Sequence, residues 1–167
     1  YELAPLRRTD IIEAAKVNGV DYDNFLQEIL NREATPLAIK PVTLIFLLNT
    51  YRKNGEFPLS QKELYEQGCL HLCEEVNPDR RESGNKGKLS SYQRLVLAGR
   101  IAAVMIFANR AAIWTYSEIV NMPNSDIAIQ DFCVGKESIN QQDFIVNEDC
   151  IREVLSVTGL FSSRGTF

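Results

Sequence analysis

The chain is short of the residues on which most small-protein chemistry depends. It has one histidine, four cysteines and one tryptophan in 167 residues. Cys69, Cys73, Cys133 and Cys150 include no C-x-x-C pair, so neither a thioredoxin-like redox motif nor a zinc ribbon is written here. Four cysteines are too few for a disulfide-dense scaffold, and no signal peptide is present. Six prolines and nine glycines exclude a collagen-like or low-complexity chain. Basic charge is not in excess either. The net charge is −4 and the pI is about 5.1, the opposite of a dedicated nucleic-acid binder.

Long apolar runs are lacking as well. Leu95 to Trp114 comes nearest, but Arg100 lies near its middle, with Asn109 and Arg110 near its end. A central Arg costs about 2.5–3.5 kcal/mol in a membrane span. The stretch reads as a buried helix of a water-soluble domain, and no membrane partner is expected.

What is present is helical punctuation. Thr9 suits the N-cap of a helix over Asp10–Asn18, with Gly19 as its stop. Asp21 caps a second helix, Tyr22 to Arg32, with Tyr22, Phe25, Leu26, Ile29 and Leu30 at i, i+3, i+4, i+7 and i+8. Leu37-Ala38-Ile39 reads as a short turn. Pro41 opens a third helix to Asn54, apolar nearly all round and therefore a core helix, and Gly55 ends it. Ser60-Gln61-Lys62-Glu63 is a capping box for a fourth, running to about Glu75. Four helices with short connections describe a helical bundle.

Asn77 to Lys88 has no large apolar residue and reads as an exposed linker. Charge changes across it. Residues 1–77 hold 8 basic and 12 acidic residues; residues 78–167 hold 10 of each. The expected organisation is a helical domain over 1–77, an exposed linker over 78–90 and a second domain over 91–167. In the second domain, Ser90 or Ser91 caps a long helix from Tyr92 to Asn109, and Ile113 to Val120 reads as a short helix. Residues 121–142 read as irregular, and Asn147 caps a last helix, Glu148 to Val157. Leu160-Phe161, the turn residues Ser163-Arg164-Gly165 and Phe167 suggest a β-hairpin. Helix, helix, helix, hairpin is a winged-helix order. The expected fold class is therefore mainly α: a helical bundle followed by a winged-helix-like domain with a small β-hairpin.

Candidate sites are few. Cys69-x-His71-x-Cys73 has metal-ligand residue types. On a helix, however, i and i+4 share a face while i+2 points about 200° away. Gly84-Asn85-Lys86-Gly87-Lys88-Leu89-Ser90 has the letters of a phosphate loop but not its spacing, since two residues separate the glycines where four are needed. Arg80, Arg81, Lys86, Lys88, Arg94, Arg100 and Arg110 make residues 79–110 basic, as DNA binding would require. The helix that would read DNA, however, starts Glu148-Asp149 and would repel phosphate. His71 has no nucleophile or base that the sequence places beside it, so no catalytic residue and no metal ligand is assigned.

The first 75 residues resemble a known family. Leu3-Ala4-Pro5-Leu6, Thr9-Asp10-Ile11, Phe25-Leu26, Lys40-Pro41-Val42-Thr43-Leu44, Tyr51, Gly55, Phe57-Pro58 and Glu63-Leu64-Tyr65 look like the helical domain of NACHT-type STAND ATPases. Thr158-Gly159-Leu160-Phe161 is similar to a later element of the same family. The resemblance implies a P-loop ATPase core upstream, followed by these helical and winged-helix regions. A chain that starts at Tyr1 and ends after a turn fits a segment of such a parent, one without a catalytic centre of its own. It further implies that Pro41 lies near the adenine of a nucleotide bound by the parent, although Lys40 stands where many members have glycine. Read from the residues alone, Pro41 is equally a helix-start proline. Under the resemblance, the segment binds no cofactor itself, and the parent binds ADP or ATP. ADP holds the lid domains on the core, and exchange for ATP releases them for oligomerisation and signalling in cytoplasmic defence. Its partners would be the NTPase core and sensor domains of the same chain and further copies of the parent, with nucleic acid not expected. Two other classes remain open: a stand-alone helical protein-interaction module and a winged-helix DNA-binding domain.

Overall fold

A computed structural model describes residues 4–74 and 87–161. The chain is mainly α, a helical bundle followed by a region with two small two-stranded sheets, one of them a β-hairpin. It divides into two units, Tyr1–Leu72 and Cys73–Phe167.

The first unit contains α1 (Arg8–Val17), α2 (Tyr22–Asn31), α3 (Thr35–Ala38), α4 (Pro41–Asn54) and α5 (Gln61–Leu72). α1 starts two residues earlier than the Thr9 cap predicts. Asp10 decides this: its carboxylate accepts the Arg7 backbone N–H at 2.8 Å and Arg7 Nη2 at 3.0 Å, which fixes Arg7 as the cap residue. Asp21 caps α2 by accepting from the Asp23 amide. The turn expected at Leu37–Ile39 is instead the end of α3. α4 has the predicted bounds, with Pro41 in the first turn and Gly55 left-handed at φ 76°. That conformation is nearly free for glycine and costly for other residues. It turns the chain so that Phe57 re-enters the core.

That core is built from Ile11, Ala15, Phe25, Ile29, Leu37, Leu44, Leu47, Leu48, Phe57 and Leu64. At its centre the rings of Phe25, Tyr51 and Phe57 lie 5.4–5.8 Å apart in edge-on and tilted pairs, the geometry favoured by aromatic quadrupoles.

The second unit opens with α6 (Ser91–Phe107). Ser90 and Gln93 cap it reciprocally, the Gln93 amide donating to Ser90 Oγ and the Ser90 amide to Gln93 Oε1. Strands β1 (Ala112–Trp114) and β2 (Asp126–Ala128) pair in parallel, Ile113 opposite Ile127. A 3-10 turn over Ile129–Phe132 follows. Then β3 (Lys136–Ile139) and β4 (Gln142–Ile145) form an antiparallel hairpin, and α7 (Glu148–Val157) follows with Asn147 as its cap. Leu97, Ile101, Ile129, Phe132, Val146, Ile151 and Val154 close the second core.

Two expectations change here. The helix predicted over Ile113–Val120 is strand β1 and a turn. Ile113, Trp114, Thr115 and Tyr116 are β-branched or aromatic and favour extended backbone, and the Trp114 indole N–H donates to the Glu118 carbonyl at 2.8 Å. The stretch 121–142, predicted irregular, carries β2, the 3-10 turn and β3 and reaches the start of β4. The hairpin therefore precedes the last helix. The hairpin predicted after it falls largely on residues 162–167, outside the described residues.

Candidate functional site

The corner between α3 and α4 carries Pro41, which the resemblance would place near a bound nucleotide. Proline disfavours the helical region for the residue before it, and Lys40 is accordingly extended, with φ −108° and ψ 131°. The corner is held from beneath. Thr43 is 1% exposed, and its hydroxyl donates to the Leu37 carbonyl oxygen. The Leu6 amide donates to the Ile39 carbonyl at 2.8 Å. Leu44 and Leu47 anchor the next turn in the core. Lys40 and Pro41 themselves are exposed. A fixed backbone thus presents an apolar ring and a neighbouring ammonium-bearing side chain to whatever meets this edge.

Several other residues of the family-like pattern are structural in their placement. Phe25, Tyr51 and Phe57 form the aromatic cluster, Gly55 makes the turn that closes it, and Leu64 is buried. The Tyr65 hydroxyl donates to the Glu33 carbonyl. Leu6 packs half-buried against the same core.

The remaining sequence candidates are not brought together. The His71 ring stacks on Phe46, centroids 5.5 Å apart. Cys73 is buried, and burial pushes the Cys69 thiol pKa up. Among the described residues no group of three or more His, Cys, Asp or Glu side chains could hold a metal ion. No helix among them is long and apolar enough to cross a membrane. The phosphate-loop look-alike falls on described residues only from Gly87 onward.

The arginines that made residues 79–110 look basic are occupied wherever they are described. Arg94 pairs with Glu153, Arg100 pairs with Glu137 at 2.8 Å, and Arg110 donates to the Asn124 carbonyl. On α7, Arg152 pairs with Glu148 and donates to the Thr115 carbonyl. A shallow groove of about 500 Å³ lies beside the end of α6, lined by Ala102, Met105, Ile106 and Phe161 with Asn109 and Arg110.

Sequence reasoning missed one constellation. Arg94 is 4% exposed, and its Nε meets Glu153 Oε1 at 3.0 Å. The Lys88 and Leu89 amides donate to the same carboxylate at 2.8 and 3.0 Å. The partners are 59 residues apart in the chain, so no local pattern announces them.

No protein-family model, curated protein or solved structure matches this chain.

Proposed function

We propose that these residues are the lid and lever of a nucleotide-switched STAND ATPase. The chemistry would lie in a P-loop core elsewhere in the parent chain. The observation that carries this reading is the α3–α4 corner. Pro41 is exposed on a backbone fixed by Thr43, Leu6 and the core, as a lid contact to a planar base needs. The family-like pattern around it supports the same reading.

ADP held by the core would keep both units closed on it. Exchange for ATP would release them and allow parent chains to oligomerise for signalling in the cytoplasm. The test is ADP titration of the longer parent, wild type against Pro41→Ala. Losing part of one apolar contact predicts about three- to tenfold weaker binding; equal affinity would remove Pro41 from the nucleotide site. A G-x-x-x-x-G-K-[ST] loop upstream of Tyr1 is required by the same reading.

A helical protein-interaction module is the second reading. It is favoured by Val17, Leu30 and Leu59, which stand exposed on the first unit. DNA binding has less support, because Arg94, Arg100 and Arg110 are engaged and α7 begins Glu148-Asp149.

A further inference from the structure

We infer that the outward face of α6 is a contact surface for a second copy of this chain: two α6 helices pair antiparallel about Gly99, and each copy seats Tyr92 against Ile106 and the groove of the other. The inference does not rest on the nucleotide reading.

α6 is apolar on two opposite sides. One side, with Leu97, Ala98 and Ile101, closes the second core. At ~100° per residue, Tyr92, Val96, Gly99, Ala103 and Ile106 lie on the other. Tyr92 is 59% exposed, Ile106 75% and Phe107 90%, and Gly99, Ala102 and Ala103 are exposed between them. A surface helix ordinarily turns charged and polar residues outward. The charged residues of α6 are Arg94 and Arg100, and both are engaged within this unit, with Glu153 and Glu137.

Gly99 is an independent sign that something closes on this face. A glycine in the middle of a helix costs stability relative to alanine. The described chain does not require one here. Gly99 is not among the glycines with positive φ, and a Cβ there would meet nothing within 4 Å among the described residues. What a bare Cα on an exposed helix face permits is the close approach of a second backbone.

The occupant follows from the fit of the face to itself. Tyr92 and Ile106 each stand seven residues from Gly99, Leu95 and Ala103 four, and Val96 and Ala102 three. A two-fold axis at Gly99 therefore sets Tyr92 on Ile106 of the second copy, Leu95 on its Ala103 and Val96 on its Ala102. In the last two pairs a larger side chain meets a small one. Such a contact is isologous and closes as a dimer. Ile106 also lines the groove of about 500 Å³, together with apolar Met105 and Phe161 and polar Asn109 and Arg110. That mixture suits a tyrosine, with its apolar ring and polar end. The face carries no charge that would repel a copy of itself. Tyr92, Ile106 and Phe107 from two copies, with the small residues between them, bury on the order of 1,000 Å². This is near the lower limit for a specific interface, so the dimer is weak and reversible.

The test is sedimentation equilibrium of the full chain over about 5–500 µM. The wild type should pass from monomer to dimer with a Kd on the order of 10–100 µM. Gly99→Leu fills the point of approach, and Ile106→Glu puts a charge into the seam. Each should weaken the dimer about tenfold or more, with the urea midpoint near that of the wild type because both side chains point away from the core. Tyr92→Ala should weaken it about three- to tenfold. Leu59→Glu, at a residue of the first unit that is 83% exposed, should leave the Kd unchanged. Should one seam variant unfold, the other and Tyr92→Ala decide. A wild type that stays monomeric throughout would overturn the pairing, leaving the face bare or to a different partner. A mass that rises past the dimer, or a dimer indifferent to the α6 variants, would overturn it as well. Loss of the dimer in Leu59→Glu would move the contact to the first unit.

Discussion

The Tyr65 hydroxyl donates to the main-chain carbonyl of Glu33 at 2.9 Å, tying α5 to the turn that follows α2. Glu33 is left-handed at φ 51°, a conformation disfavoured for a residue with a side chain. Its neighbours hold it there. Arg32 Nη1 donates to the Leu59 carbonyl, and Gln61 Nε2 donates to the Glu33 carboxylate. Tyr65→Phe keeps the ring and removes one half-exposed hydrogen bond. It should lower stability by about 0.5–1.5 kcal/mol, read as a lower urea midpoint of the full chain. No shift would mean that water replaces the hydroxyl at no cost.

The aromatic cluster should be far more sensitive. Phe57 is 1% exposed and touches both Phe25 and Tyr51. Phe57→Ala should cost about 3–5 kcal/mol, the range for truncating a buried aromatic. Two residues on, Leu59 is 83% exposed, and Leu59→Ala should stay within about 0.5 kcal/mol. Denaturant unfolding of the two variants side by side separates burial from hydrophobicity as the cause.

The pattern that suggested a family is thus largely a packing pattern. Phe25, Tyr51, Phe57 and Leu64 meet in one core, with Gly55 at the turn between Tyr51 and Phe57. Elements with local signals were legible: Asp21 and Asn147 as caps, Ser90 as one of two candidate caps, Pro41 and Gly55 as the bounds of α4. The β3–β4 hairpin was not. It turns through Asn140 and Gln141, at φ 50° and 67°, without the glycine that usually marks such a turn. The parallel β1–β2 pairing and the Arg94–Glu153 ion pair were hidden for a different reason. Each joins residues that only the folded chain brings together, and periodicity carries no trace of that. Pro41 was legible as a helix start, and its exposure was not.

The α1 cap should titrate unusually. The Arg7 guanidinium, and after it the Arg7 amide, hold the Asp10 carboxyl below its ordinary range. Its folded pKa lies below the unfolded value of about 3.9. The contribution to stability is therefore present above the unfolded pKa and disappears as pH falls through the folded one. An NMR titration of the Asp10 carboxyl should show a midpoint below that of an unstructured Asp. Arg7→Ala should move it up, and added salt should shrink the difference, because the pair is solvent-exposed. A midpoint unmoved by Arg7→Ala would remove Arg7 as the cause.

Pro41 sets the last expectation, because its proposed role can be separated from its structural one. At the start of a helix a proline loses no hydrogen bond and limits the unfolded chain, so Pro41→Ala should destabilise this chain by about 0.4–1 kcal/mol. The exposed ring adds little buried area to lose, while Thr43, Leu44 and Leu47 continue to anchor the corner. Thermal or urea unfolding of the 167-residue chain checks this. A small shift here with weaker ADP binding in the parent would place the effect at the nucleotide contact. A shift well above 2 kcal/mol would mean that the proline shapes the corner itself. Any loss of ADP affinity in the parent would then report a displaced lid and not a lost contact.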